Sequence, residues 1–336
     1  MRIKMERQIK YTKSLIIILA ILACFSQALR GMAPPTLPGN FNQLPLEIQQ
    51  EIISKLSDSD LARLAQTSRQ ARQVLWDELE KRQLKAATEL SLWESRIKID
   101  FTNEASNYPT LDQFKQAVLV RLNDTAQQCP EQWISLYLSS NNLGSLSSKN
   151  LKEFLQSITK YNVVELFLFG NQLTSLPKNS FNGLNKLKSL YLAFNQLSHL
   201  PEGIFNGLHN LQTLDLSSNQ LISLPEKIFN NLPNLRKLYL FDNQLTSLPE
   251  KIFNQLPNLL DLNLYHNRLT SLPEKIFNNL PNLLDLDLSY NQLTSLSENI
   301  FNNLHNLREL NLSYNQLRDT EKQSIRRKLT NIKIIF

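Results

Sequence analysis

The stretch LRKLYLFDNQLTSLPEKIFNQLPN, Leu235 to Asn258, decides the fold, because the chain repeats it with little change. Its frame is LxxLxLxxNxL, and the asparagine recurs every 24 residues at Asn171, Asn195, Asn219, Asn243, Asn267, Asn291 and Asn315. Leu238 and Leu240 alternate, as on a short strand with both side chains pointing inward. Leu245 and Leu248 fill the next part of the coil, and Pro249 discourages a strand or helix from continuing. Phe253 and Leu256 then close the core from the far side. An asparagine amide offers two donors and an acceptor, so Asn243 can satisfy backbone groups where the chain leaves the strand. Repeated in every coil, these amides form a ladder. A phenylalanine stripe (Phe181, Phe205, Phe229, Phe253, Phe277, Phe301) keeps the same period and is expected in the core.

A fixed period of this length with this frame is identified as a leucine-rich repeat, a solenoid of one strand and one return arm per coil. The fold class is therefore α/β, a horseshoe of about eight coils of ~24 residues. The first coil, Leu136-Leu138-Asn141-Leu143-Leu146, is atypical, since 30 residues separate Asn141 from Asn171. Its arm, with Leu151, Phe154, Leu155 and Ile158 at helical spacing, is predicted to be a helix. The repeats are placed at 132–318 and a C-terminal cap at 319–336. There Asp319-Thr320 opens a short amphipathic helix, and NIKIIF pairs with or packs on the last coil.

The chain is long enough, at 336 residues, for a second folded part. Its net charge of +6 invites a nucleic-acid reading. The charge is badly placed for one: residues 1–13 carry five basic residues against Glu6, a net +4, which leaves only +2 for the rest. A nucleic-acid surface needs its basic residues on one folded face, so that class is excluded. The basic start leads into an apolar run, Leu15 to Phe25, and then Ser26-Gln27-Ala28. This is the order of a secretory signal peptide over residues 1–28, with the run short for a bilayer span. If 14–29 stay uncleaved they form a membrane anchor. Ile21-Leu22-Ala23-Cys24 also approximates a lipoprotein box. Cleavage would leave Cys129 as the one cysteine, which excludes an intramolecular disulfide.

Residues 29–42 read as a Pro- and Gly-containing linker, and 43–80 as three short helices. The first helix carries Leu44, Ile48, Ile52, Ile53 and Leu56 behind Pro45. Ser57-Asp58-Ser59 breaks it and opens a second with Leu61 and Leu64. A third runs through Trp76. The string LPLEIQQEIISKL, then DLARLAQTSRQAR, then Asp77, resembles the F-box. The matching positions are Leu44, Pro45, Glu47, Ile48, Ile52, Leu56, Asp60, Leu61, Leu64, Ser68, Arg69, Arg72 and Asp77. Ala71 departs from the pattern, where the family usually has an aromatic residue.

The resemblance implies an all-α three-helix module that binds the Skp adaptor of a cullin–RING ubiquitin ligase through Leu44, Pro45, Glu47, Ile48, Ile52, Leu56, Leu61 and Leu64. It also implies that the repeat domain holds a target protein. A signal-like segment beside such a module is expected in a bacterial protein exported into a eukaryotic host cell. The alternative is an exported or membrane-anchored repeat protein, an adhesin or receptor, with a helical N-terminal cap. Residues 81–131 read as a mostly helical spacer, interrupted at Asn107-Tyr108-Pro109.

Side chains between the strand leucines point onto the concave sheet, where the target is expected. The return arms LPEKIFNNLPNL, LPEKIFNQLPNL and LPEKIFNNLPNL are nearly identical, whereas the concave positions vary. Phe167, Phe169, Tyr191, Phe194, Tyr239, Phe241 and Tyr265 make an aromatic stretch. Asp215, Asp242, Asp261, Asp285, Asp287 and Glu309 make an acidic one, with Tyr290 and Tyr314 among them, and His266 lies on the rim beside Asp242 and Tyr290. Aromatic anchors on a solvent-facing sheet predict a protein partner with an apolar patch beside a basic one. No phosphate loop, metal-ligand spacing or nucleophile–base set occurs in the sequence, so no catalytic residue, metal or cofactor is expected.

Overall fold

The computed structural model describes residues 96–336, which form one compact unit. The signal-like segment, the linker and the F-box-like helices, including Leu44, Pro45, Glu47, Ile48, Ile52, Leu56, Leu61 and Leu64, lie outside the described residues. Among the described residues ten parallel strands follow one another in strict chain order. They are β1 (Ile97–Asp100), β2 (Ile134–Tyr137), β3 (Val163–Phe167), β4 (Ser189–Tyr191), β5 (Thr213–Asp215), β6 (Lys237–Tyr239), β7 (Asp261–Asn263), β8 (Asp285–Asp287), β9 (Glu309–Asn311) and β10 (Lys333–Ile335).

Register follows from the period. From β3 to β9 each residue pairs with the one 24 positions on, so Leu166, Leu190, Leu214, Leu238, Leu262, Leu286 and Leu310 form one inward row. Every member of that row is at most 1% exposed, so the core is a continuous column of leucine. The phenylalanine stripe lies beneath it, with Phe205, Phe229, Phe253 and Phe277 stacked at 6.4 Å between ring centres.

The asparagine ladder forms as the frame requires. Asn243 Nδ2 donates to the carbonyls of Leu216 (3.0 Å), Leu240 (3.1 Å) and Phe241 (3.2 Å), and its Oδ1 accepts from Leu221 N–H at 3.0 Å. Just before each ladder asparagine the backbone turns through positive φ, as at Ser218, Asp242 and His266 (φ 48°, 51° and 52°). A second asparagine ladder, which the frame does not announce, runs along the convex side. Asn234, Asn258, Asn282 and Asn306 donate to the carbonyls of His209, Pro233, Pro257 and Pro281 at 2.8–2.9 Å.

Coil length sets the return arm. A 24-residue coil leaves room only for linked turns, such as Ile252 N–H to Pro249 C=O and Leu256 N–H to Phe253 C=O, both 3.2 Å. The longer coil after β2 accommodates α2 (Ser148–Ser157), which buries Leu151, Phe154 and Leu155 as its spacing predicts. At the C-terminus α3 (Asp319–Lys328) buries Ile325, and β10 pairs in parallel with β9.

One expectation needs correction. The helical spacer expected over 81–131 contains β1 and a coil of the solenoid from Arg96 onward. Ile97 pairs with Ile134, and the 37-residue interval holds α1 (Leu111–Gln128), with Phe114, Val118 and Leu122 fully buried. The eight asparagine coils are thus flanked by β1 and β10, which lack the asparagine. The ladder ends where Asn141 Oδ1 accepts from Glu104 and Ala105 N–H (2.9 and 2.8 Å).

Candidate functional site

Because the strands are short and in register, outward side chains fall into columns on the concave sheet. One column reads Lys237, Asp261, Asp285, Glu309, Lys333 across β6 to β10. The next reads Asp100, Tyr137, Phe167, Tyr191, Asp215, Tyr239, Asn263, Asp287 and Asn311 across β1 to β9. Beyond the strands the ladder continues, as in Asp242 N–H to Tyr265 C=O (3.0 Å) and His266 N–H to Ser289 C=O (3.0 Å). This continuation makes a third column, with Phe241 and Tyr265, and a rim column, with Phe194, Asp242, His266, Tyr290 and Tyr314.

The aromatic residues do not form one stretch. Phe167 stacks on Tyr191 at 4.4 Å and on Tyr137 at 4.0 Å, and Tyr137 is a member the sequence reading missed. Lys98 sits over the Tyr137 ring at 4.4 Å and closes that end. Asp215 then interrupts the column. Tyr239 and Phe241 form a second group, 6.4 Å apart. The third group joins the third column to the rim: Tyr265 packs edge-on to Tyr290 at 5.2 Å, and Tyr290 stacks on Tyr314 at 4.1 Å. His266 lies beside Tyr290 and pairs with Asp242 through Nδ1, as its position predicts. The rings that remain open to solvent are Phe169, Phe194, Tyr290 and Tyr314, at 38%, 65%, 41% and 70% exposure.

The acidic residues divide by role. Asp215 Oδ1 accepts from Ser217 N–H and Oγ (2.9 and 2.6 Å), and Asp287 Oδ1 does the same for Ser289 (2.8 and 2.5 Å). These two carboxylates fasten the end of their strands. Asp261 accepts the Tyr239 hydroxyl at 3.0 Å, and Glu309 pairs with Lys333 at 2.8 Å. Asp285 lies directly between Asp261 and Glu309 and makes no ion pair or side-chain hydrogen bond among the described residues. Like charges directly opposite on neighbouring strands destabilise a sheet.

The electrostatics reflect this crowding. Burial, and then the neighbouring Asp285, raise the Asp261 pKa above the ordinary carboxylate value against the pull of Tyr239 and Lys237. Burial and the Asp261 charge likewise raise the Tyr239 phenol. For an acid raised in the folded state, the native protein holds its proton longer than the unfolded chain. Stability therefore falls as pH rises from the unfolded value through the raised one. Asp261→Asn is expected to raise the urea midpoint at pH 7 and to leave it unchanged below pH ~3, where both carboxyls are protonated. Urea unfolding at the two pH values tests this; equal shifts at both would refute it.

At the N-terminal end Asp100 is held at about 2, well below the usual carboxylate range, by Lys98 (2.7 Å) and Thr102 N–H (2.9 Å). Arg96 Nε donates to Glu165 (2.8 Å) and Ser135 (2.9 Å), a part-buried clamp that joins the first coils. Among the described residues no His, Cys, Asp and Glu cluster is arranged to hold a metal ion, and no helix is long and apolar enough to cross a membrane. What the concave face presents is three aromatic groups and an acidic row.

The F-box-like family model matches residues 41–84, and the leucine-rich repeat family model matches 161–221, 210–269 and 260–317. Similar solved structures include the Toll–Spatzle complex, described as a molecular hub in Drosophila development and innate immunity. That chain is 32% identical with a TM-score of 0.47, over 57% of this chain and 28% of the other. Its glycosylated form is 31% identical with the same TM-score and coverage. The chain thus spans little more than a quarter of the solved chains it matches. No curated protein matches it.

Proposed function

We propose, on the premise that this chain belongs to the F-box-like leucine-rich repeat proteins, that it is the substrate adaptor of a cullin–RING ubiquitin ligase. The observation that carries the reading is the union in one chain of an F-box-like domain at 41–84 with repeats over 161–317. Those two parts support a protein-binding adaptor role. The F-box-like residues Leu44, Pro45, Glu47, Ile48, Ile52, Leu56, Leu61 and Leu64 bind the Skp adaptor. The concave face binds the target through Phe167, Phe169, Tyr191, Phe194, Asp215, Tyr239, Phe241, Asp261, Tyr265, His266, Asp285, Asp287, Tyr290 and Tyr314. The chain itself catalyses nothing; ubiquitin transfer belongs to the ligase it joins.

The basic start and apolar run of residues 1–28 support export, and an exported chain meets this ligase only inside a eukaryotic cell. We therefore place its action in a eukaryotic host, as an exported bacterial effector. The same N-terminal observation favours a second reading, an exported or membrane-anchored repeat protein that binds a ligand without a ubiquitin role.

The two readings separate on one contact. The full chain is expected to retain the Skp adaptor and cullin from a eukaryotic lysate, and Leu44→Ala/Pro45→Ala to reduce capture at least tenfold, as loss of a central apolar anchor does. Folded protein that captures neither partner supports the second reading.

A further inference from the structure

The rim column carries a conformational cost. At the positions before the ladder asparagines, other coils use Ser140, Gly170, Ser218 and Asp242, small residues, and one further ring, Phe194 at φ 55°. His266, Tyr290 and Tyr314 occupy the same positions at φ 52°, 51° and 54°. Bulky side chains there are uncommon and strained. Tyr290 and Tyr314 also leave 41% and 70% of their area open. The stacked pair therefore presents ring faces to solvent, held in a backbone conformation that asparagine would adopt with less strain.

Alongside lies the acidic row, in which Asp285 sits unpaired between Asp261 and Glu309. Tyr290 follows Asp285 by five residues, so their Cα atoms are at most about 18 Å apart along the coil. Neighbouring side chains of an extended peptide span that distance. One chemistry matches both the open rings and the unpaired carboxylate. A cation neutralises the carboxylate row, and a planar cation also covers an open aromatic face.

We propose that the occupant of the Asp285–Tyr290–Tyr314 surface is an arginine-bearing extended segment of the target protein. This rests on the reading that the concave face holds the target. A guanidinium stacks on the Tyr290–Tyr314 pair, while the next basic side chain reaches Asp285. Arginine is favoured over lysine because only the guanidinium is planar and stacks.

The test is fluorescence anisotropy with the full chain and three labelled peptides of about twelve residues, alternating serine with arginine, lysine or glutamate. The arginine peptide is expected to bind most tightly, the lysine peptide more weakly, and the glutamate peptide not at all. Tyr290→Asn/Tyr314→Asn, which suits positive φ, and Asp285→Asn are each expected to weaken the arginine peptide about tenfold. Thermal unfolding of the tyrosine variant should be unchanged or shifted upward. Arginine-peptide binding that the tyrosine variant leaves intact would overturn the assignment, as would equal binding of the glutamate peptide. A chain that ignores the arginine peptide, yet loses a captured protein on Tyr239→Ala/Phe241→Ala/Tyr265→Ala, overturns the cationic occupant and leaves the concave-face reading standing.

Discussion

Asn243→Ala is expected to lower the unfolding free energy by about 3 kcal/mol, although it removes no apolar atom. The amide makes three donor contacts to Leu216, Leu240 and Phe241 carbonyls and accepts from Leu221 N–H, at 3.0–3.2 Å. All three carbonyls keep a second partner: Leu216 the Asn219 amide (3.1 Å), Leu240 the Asn267 amide (3.0 Å) and Phe241 the Ser218 N–H (2.9 Å). Leu221 N–H is left without its acceptor in a column of leucine, which costs about 1–3 kcal/mol, and the three lost amide contacts add to that. Asn243→Asp should be no better, because a carboxylate has no donor and brings a charge into the core.

Position along the ladder supplies the control. Asn315, in the last asparagine coil, is only partly buried and makes the same kind of contacts, to Leu288, Leu312 and Ser313 carbonyls. Asn315→Ala should therefore cost less than half as much. Urea unfolding of the two variants checks both statements. Equal losses at the two sites would mean the ladder does not act through burial.

The second large effect is on binding. Tyr239→Ala/Phe241→Ala/Tyr265→Ala is expected to weaken target binding at least a hundredfold, with little change in fold. Aromatic anchors dominate interface energetics, and these three stand in the middle of the concave face. None belongs to the buried leucine row or the phenylalanine stripe. Truncation removes the 6.4 Å Tyr239–Phe241 contact, the 5.2 Å Tyr265–Tyr290 contact and the Tyr239 hydrogen bond to Asp261. These are half-exposed contacts, so the stability loss should stay near 1 kcal/mol per ring. Isothermal titration against the captured target, beside urea unfolding of the triple variant, separates the two effects. Undiminished affinity would place the target elsewhere on the solenoid.

Much of the fold was legible because period and residue type act together. A leucine row, an asparagine where the coil turns and a phenylalanine on the far side each recur at 24 residues, and parallel pairing of identical units requires that register. The helix α2 was legible from Leu151, Phe154, Leu155 and Ile158. β1 was not. Ile97-Lys98-Ile99-Asp100 is four residues without the asparagine frame, and only pairing with β2 across a long intervening helix makes it a strand. The second asparagine ladder was hidden because Asn234 and its equivalents sit in turns, where asparagine needs no long-range explanation.

The candidate concave face was legible as a list and not as an arrangement. Successive outward residues enter different columns, so Phe167 and Tyr191 join Tyr137, while Asp215 cuts them off from Tyr239. Sequence also could not sort the carboxylates. Asp215 and Asp287 are each followed two residues later by a serine that turns them to local hydrogen bonding, and Asp285 is left free by register alone.

The central claim is that one chain bridges a ligase adaptor and a target through two separate surfaces. The most direct measurement is a two-step purification from eukaryotic lysate, first on the tagged full chain and then on the Skp adaptor, with every retained protein identified. The account predicts a crossed pattern. Leu44→Ala/Pro45→Ala loses the adaptor and keeps the target on the first step, and Tyr239→Ala/Phe241→Ala/Tyr265→Ala keeps the adaptor and loses the target. If the wild-type chain never holds both partners at once, or if one set of changes removes both from folded protein, the bridge is contradicted.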